Sequence, residues 1–238
     1  MTYSQVIERL YELKNPDKVI FKEQKFGIIS NNSLGIYHKD LKVIAQHLGK
    51  DNELALQLFD SGIYEARLLC SKMFRPKDVT ELLMEQWVKS FENWEICDSF
   101  CMGLFSKSDY AVPKILEWSE REREFEKRAS FATLASYCMA DKKADNETFE
   151  QFFTLIKRAA TDKRLYVKKA VNWALRNIGK RNIDLKKRAI TTAYEILESS
   201  TTGQGSPTAK WIAKDALAEL EKEKIRMSDY PRSIYRKS

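Results

Sequence analysis

Trp94 and Asp98 stand four residues apart in the segment NWEICDSFCMGLF, residues 93–105. At about 100° per residue, a helix there gathers Ile96, Cys97, Phe100, Cys101 and Leu104 into one apolar stripe and sets Trp94 and Asp98 together at its edge. A carboxylate sheltered beside an indole can stay ionised and oppose positive charge that develops in a transition state. The same pattern also suits a surface carboxylate or the partner of a buried arginine. Arg128, in FEKRASFATLASY, is a second anomaly, because it shares the angular position of Phe131, Ala135 and Met139. Burying a guanidinium unpaired is prohibitive, so Arg128 needs a carboxylate such as Asp98 or a phosphate from outside the chain. Trp173 is the third. On its helix Val167, Val171, Ala174 and Ile178 face a core, whereas Trp173 and Tyr166 sit among Lys169, Arg176 and Lys180. An indole among cations suits a surface that meets a sugar or base while its neighbours hold phosphates. Cover by a neighbouring helix is the alternative.

Charge concentrates around Trp173. Residues 161–190 hold ten basic side chains, among them Lys168, Lys169, Lys180 and Arg181, against Asp162 and Asp184, a net +8. Residues 222–238 add +4, so a whole-chain charge of +7 leaves the remainder at −5. A basic segment on an acidic body is the footprint of a polyanion partner. A solvated helical face is the plainer reading, since Lys and Arg are good helix formers.

The elements that carry these residues are helical. Only 8 glycines and 5 prolines punctuate 238 residues, too few for the many turns of an all-β protein. Periodicity predicts helices over 3–14, 17–29, 38–48, 51–60, 62–73, 77–90, 93–105, 109–119, 122–140, 146–160, 164–180, 183–199 and 208–224. A faint repeat runs through them: an apolar residue, charges, then a small residue entering an apolar helix. It ends on Ala66, Ala129, Ala170 and Ala216, spaced by 63, 41 and 46 residues, with room for one further unit around Cys97. Periods near 40 belong to HEAT-type helix pairs stacked into a solenoid. The expected organisation is one domain over 1–227 and a loose basic tail over 228–238. The interleaved Glu120, Glu122, Glu124 and Glu126 with Arg121 and Arg123 read as a solvated turn.

Several classes are excluded. No uncharged apolar run approaches the roughly 18 residues that span a bilayer. Four cysteines lack CxxC spacing, and His38 and His47 lie nine apart, so a zinc site is not expected. The expectation is a reduced, cytoplasmic protein without a metal.

In combination, Trp94-x-x-x-Asp98, Arg128 in its context, Trp173 in KKAVNWALRNIGKRN and the segment Leu34-Gly35-Ile36 resemble the AlkD-type DNA alkylation repair family, the HEAT-like-repeat DNA glycosylases. The resemblance extends from about Phe26 to the last long helix. It implies an all-α fold, a right-handed, C-shaped α-solenoid with a basic concave face for duplex DNA. It assigns Trp94, Asp98 and Trp173 to catalysis and makes Arg128 a neighbouring DNA contact; Tyr166, Lys168, Lys169, Arg176, Lys180 and Arg181 complete the expected DNA-binding set. The implied activity is a monofunctional glycosylase that hydrolyses the N-glycosidic bond of cationic N3- or N7-alkylated purines, without extruding the lesion into a tight pocket. It needs no cofactor, works as a monomer on alkylated duplex DNA, and is nucleoid-associated if bacterial. Family members carry aromatic residues just before the LGI segment, where this chain reads Ile28-Ile29-Ser30-Asn31-Asn32-Ser33. A non-catalytic module that recognises altered DNA structure is the alternative of another class, and a protein scaffold is a third.

Overall fold

The computed structural model describes residues 1–201 and 205–235, and among these the only regular elements are helices. The chain forms two compact units, Met1–Tyr110 and from Ala111 onward.

The first unit holds α1 (Tyr3–Glu12), α2 (Pro16–Phe26), α3 (His38–Leu48), α4 (Asn52–Asp60), α5 (Tyr64–Met73), α6 (Glu81–Lys89) and α7 (Trp94–Gly103). Their starts are written locally. Thr2 and Gln5 form a reciprocal capping box, Asn15 caps α2 ahead of Pro16, and Asp51, Thr80 and Asn93 cap α4, α6 and α7. Helix α5 packs against α3, α4 and α7. The core gathers around Trp87, whose ring centroid lies 5.2 to 6.2 Å from those of Phe59, Phe74, Phe100 and Phe105. Cys97 and Cys101 are buried, as the stripe on α7 requires, and all four cysteines are free.

Glu65, on α5, is fully buried. Its carboxylate accepts from the backbone N–H groups of Leu34 (2.7 Å), Gly35 (2.9 Å) and Ile36 (3.2 Å), and from the Ser33 hydroxyl at 2.8 Å. The LGI segment is therefore a staple that closes the chain between α2 and α3. Gly35 is held at φ +78°, and a Cβ there would stand 2.1 Å from the Asn15 carbonyl oxygen. Only glycine fits.

The second unit holds α8 (Ala111–Trp118), α9 (Glu124–Ala140), α10 (Asn146–Ala159), α11 (Leu165–Gly179), α12 (Ile183–Ser199), α13 (Pro207–Leu220) and the short α14 (Arg232–Tyr235). Helices α9, α11 and α13 pack side by side as one layer; α10 and α12 pack on each other and on α11 as the second. This is the layering of helical repeats. Ala66, Ala129, Ala170 and Ala216 fall on α5, α9, α11 and α13 and are all fully buried, and Cys97 occupies α7. The faint sequence repeat thus marks α5, α9, α11 and α13, where a small buried residue lets helices approach closely.

Two expectations need correction. Residues 228–235 are not a loose tail. Ser228 N–H donates to the Lys180 carbonyl at 2.9 Å, Tyr230 N–H to that of Arg181 at 3.0 Å, and the Tyr235 hydroxyl to Asp184 at 2.8 Å, so the segment docks on the α11–α12 turn. Its two tyrosines supply contacts that a polar composition conceals. The last three residues, 236–238, and residues 202–204 of the SSTTGQGSP loop lie outside the described residues. Second, the acidic stretch 120–126 is not simply a solvated turn: its last part is the first turn of α9, where Glu126 is buried and takes Arg121 at 3.1 Å and Arg123 at 2.8 Å.

Candidate nucleic-acid site

In the first unit, Trp94 and Asp98 line one cleft of 490 Å³, together with His38, Lys72, Glu95 and Ser99. Both sit half-buried at the edge of the apolar stripe of α7, whose members are all buried. Asn93 starts the helix by accepting from the N–H groups of Glu95 (2.9 Å) and Ile96 (3.2 Å), and its amide donates to the Ile29 carbonyl at 3.0 Å. The Trp94 indole N–H donates to the Phe26 carbonyl at 2.9 Å, which fixes the plane of the ring. Ser71 and Ser99 share a hydrogen bond of 2.7 Å between α5 and α7. At Gly103 a Cβ would stand 2.5 Å from the Ser71 carbonyl oxygen, so the close approach of these helices depends on it.

Behind Trp94 lies a charged network that the sequence reading missed. Glu95 takes Lys22 at 2.7 Å, both side chains being nearly inaccessible, and accepts from the Tyr64 hydroxyl at 2.8 Å. Burial, then the charge of Glu95, pushes the Tyr64 phenol up, so it stays a donor. His38 Nε2 lies 3.5 Å from Glu95, and its Nδ1 is 3.2 Å from Lys72 Nζ. Burial lowers both the His38 imidazole and the Lys72 ammonium; the positive charge of Lys72 lowers His38 further, while Glu95 opposes both shifts. These residues come from α2, α3, α5 and α7. The one local signal was Glu95, an acidic residue placed beside the apolar stripe.

The second unit carries the remaining candidates. Arg128 on α9 is 5% exposed; it donates to the Tyr166 carbonyl at 2.7 Å, and its guanidinium lies 5.9 Å from the Tyr166 ring centroid. Trp173 is half-buried and packs against the hydrophobic core of the unit, so its indole is partly covered. Lys169 is exposed. Lys168 is half-buried, with Nζ 4.5 Å above the ring of Trp211, an indole that the sequence reading passed over. Trp211 is 38% exposed and borders a surface groove with Lys210 and Lys214. Its basic neighbours on α13 were the available signal.

Arg176 and Lys180 both pair with Glu219 on α13, and Asp215 lies 3.9 Å from Arg176. Burial works against the Glu219 carboxylate, but the hydrogen bond from Lys180 and the charge of Arg176 outweigh it and hold the carboxyl below its usual range.

Arg181 departs from expectation. It is fully buried and donates to the carbonyls of Cys138 (2.9 Å), Asp141 (2.5 Å) and Ala144 (2.7 Å), with its guanidinium 4.4 Å from the Phe149 ring centroid. Its donors close the turn after α9, so it has no access to a phosphate. Arg181→Met is expected to cost about 3 kcal/mol, because one buried and two part-buried carbonyls lose their donor. A urea unfolding curve measures the loss, and an unchanged salt slope of DNA binding would accompany it.

Helices in paired layers, with candidate side chains on α7, α9 and α11, define an α-helical-repeat protein of the HEAT-like kind. The chain belongs to the DNA alkylation repair enzyme family, whose model matches residues 6–220. It is similar in fold to a solved structure from a family described as related to the HEAT-like repeat DNA glycosylases with affinity for branched DNA structures. That likeness has a TM-score of 0.74 at 17% identity and covers 92% of this chain and 94% of the other. No curated protein matches.

Proposed function

We propose that this protein binds duplex DNA and hydrolyses the N-glycosidic bond of cationic N3- and N7-alkylated purines. The observation that carries the reading is the cleft that Trp94 and Asp98 share, in a chain that belongs to the DNA alkylation repair enzyme family. An alkylated purine is already cationic, so it leaves without strong general-acid help. What the reaction needs is stabilisation of the positive charge that develops on the deoxyribose as the bond breaks. Asp98 supplies the opposite charge and orients the attacking water, and the Trp94 ring, fixed through its N–H, turns a π face to the cationic sugar. The family resemblance gives Trp173 a share in this chemistry. Lys168 and Lys169 hold phosphates, Arg176 and Lys180 join them where a phosphate displaces Glu219, and Arg128 and Tyr166 brace that surface. The protein acts as a monomer in the cytoplasm, where its four thiols stay reduced.

Release of 7-methylguanine from alkylated duplex DNA is the test. No release, with salt-sensitive binding, would leave the second reading, a non-catalytic module for altered DNA structure. That reading is favoured by one observation: Ile29 and Ser30 precede the LGI segment in place of aromatic residues. Branched and linear duplexes compared in the same binding assay separate the two.

Glu219 holds two of the proposed phosphate contacts in internal ion pairs. Glu219→Gln is expected to tighten DNA binding and to steepen the slope of log K against log salt by about 1 to 2, one for each cation released to a phosphate. Fluorescence anisotropy across a salt series measures it, and an unchanged slope would remove Arg176 and Lys180 from the interface.

A further inference from the structure

Lys72, His38 and Glu95 form a chain of contacts that base excision does not use. Glu95 is fixed by Lys22 and Tyr64 and lies 3.5 Å from His38 Nε2. A carboxylate on that side favours the imidazole tautomer with its proton on Nε2. Nδ1 is then an acceptor, and it faces the Lys72 amine at 3.2 Å. An amine, a base within reach of it and a carboxylate that orients the base make up the arrangement of an activated nucleophile. Lys72 and His38 line the same cleft as Trp94 and Asp98.

We propose that Lys72 is the nucleophile of a second activity in this cleft: attack on the ring-opened aldehyde of an abasic deoxyribose, followed by cleavage of the strand on its 3′ side. The inference rests on the reading above, since base excision leaves an abasic site in the cleft. His38 Nδ1 takes a proton from the Lys72 ammonium, the amine lone pair forms a bond to C1′ as the C1′=O π pair moves to oxygen, and that oxygen takes the proton back from His38. The carbinolamine loses water to give an iminium, which acidifies C2′. Asp98, which lines the cleft beside Trp94, removes the C2′ proton; the electron pair forms the C2′–C3′ double bond, and the C3′–O bond breaks with its pair going to the phosphate. Water then hydrolyses the conjugated imine and restores the amine. One strand end carries a 5′-phosphate and the other an unsaturated aldehyde. No oxidant, reductant or metal is consumed.

The surroundings suit the chemistry. Lys72 faces His38, Glu95 and Lys42, and His38 faces Lys72, Glu95 and Lys22. Burial lowers both groups, so His38 holds a proton less readily than a free imidazole, which keeps Nδ1 open as an acceptor, and Lys72 gives up its proton more readily than an exposed lysine.

The experiment uses a duplex whose abasic site is formed beforehand, incubated with the full chain and cyanoborohydride. The expected result is a covalent protein–DNA adduct that requires the reductant and maps to Lys72 by mass spectrometry. Lys72→Arg, which keeps the charge, abolishes the adduct. His38→Gln slows its formation about a hundredfold near neutral pH, and the rate recovers as pH rises and Lys72 deprotonates without help. No adduct, an adduct on another lysine, or full trapping by Lys72→Arg overturns the proposal. Should Lys72→Arg fail to fold, the mapped position in the wild-type adduct decides alone. Because the abasic site is preformed, an adduct at Lys72 without release of 7-methylguanine keeps this inference and removes the glycosylase reading. Base release without an adduct does the reverse.

Discussion

Asp98→Asn is expected to slow release of 7-methylguanine from alkylated duplex DNA by about a thousandfold, or about 4 kcal/mol in the barrier. The substitution keeps the shape of the side chain and removes its charge. Trp94 stays tied to the Phe26 carbonyl, and the buried stripe of α7 is untouched, so the cleft survives. What is lost is the negative charge opposite the deoxyribose as its bond to the purine breaks. Affinity for undamaged duplex should equal or exceed that of the wild type, since a carboxylate repels phosphates. A single-turnover assay separates the two quantities: the rate falls and the binding constant does not. Undiminished release by the Asn variant would remove Asp98 from the mechanism.

Glu65→Ala is expected to destabilise the protein by about 3–5 kcal/mol, visible as a shifted urea midpoint. The carboxylate serves three backbone N–H groups and a serine hydroxyl, and all three N–H groups lie in a buried turn with no room to relax. Gly35 is pressed against the Asn15 carbonyl, and Leu34 accepts from the Asn15 N–H at 2.8 Å, so loss of the staple frees the end of α2 as well. Ile29 sits in the same connection and receives the Asn93 amide that starts α7. The effect should therefore reach the Trp94 position. Glu65→Gln, with one acceptor oxygen in place of two, should fall between wild type and Ala. A loss below about 1 kcal/mol for Ala would mean that solvent or another donor set replaces the staple.

What was legible from sequence is what is local. Every range from 3–14 to 208–224 meets a helix, because the 3.6-residue period and capping side chains such as Asn93 and Thr80 act within one or two turns. The stripe on α7 and the position of Trp94 and Asp98 at its edge follow from the same arithmetic. So do the buried alanines of the helical rows. Helix α13 ends at Leu220, short of 224, since the charged run Glu221–Lys224 continues the polarity of a helix without its apolar face.

Only tertiary structure could decide which charges are available. The +8 segment is a true count along the chain, yet Arg181 is consumed by the turn after α9, and Arg176 and Lys180 are paired with a carboxylate on α13 for which a phosphate must compete. Those partners are about forty residues away, and a charge sum has no knowledge of them. The docking of Tyr230 and Tyr235 is of the same kind. Most of all, the Lys22–Glu95–His38–Lys72 chain draws one residue from each of four helices. Apart from Glu95, none of them is unusual on its own helix. Their chemistry arises from burial and from distances of 2.7 to 3.5 Å that helix packing alone sets. The sequence by itself determined the helices, their apolar faces and the Trp–Asp pair, because those depend on neighbours within a few residues. The fold decided which side chains are desolvated, paired and aimed into one cleft, because electrostatics acts through space and takes no account of separation along the chain.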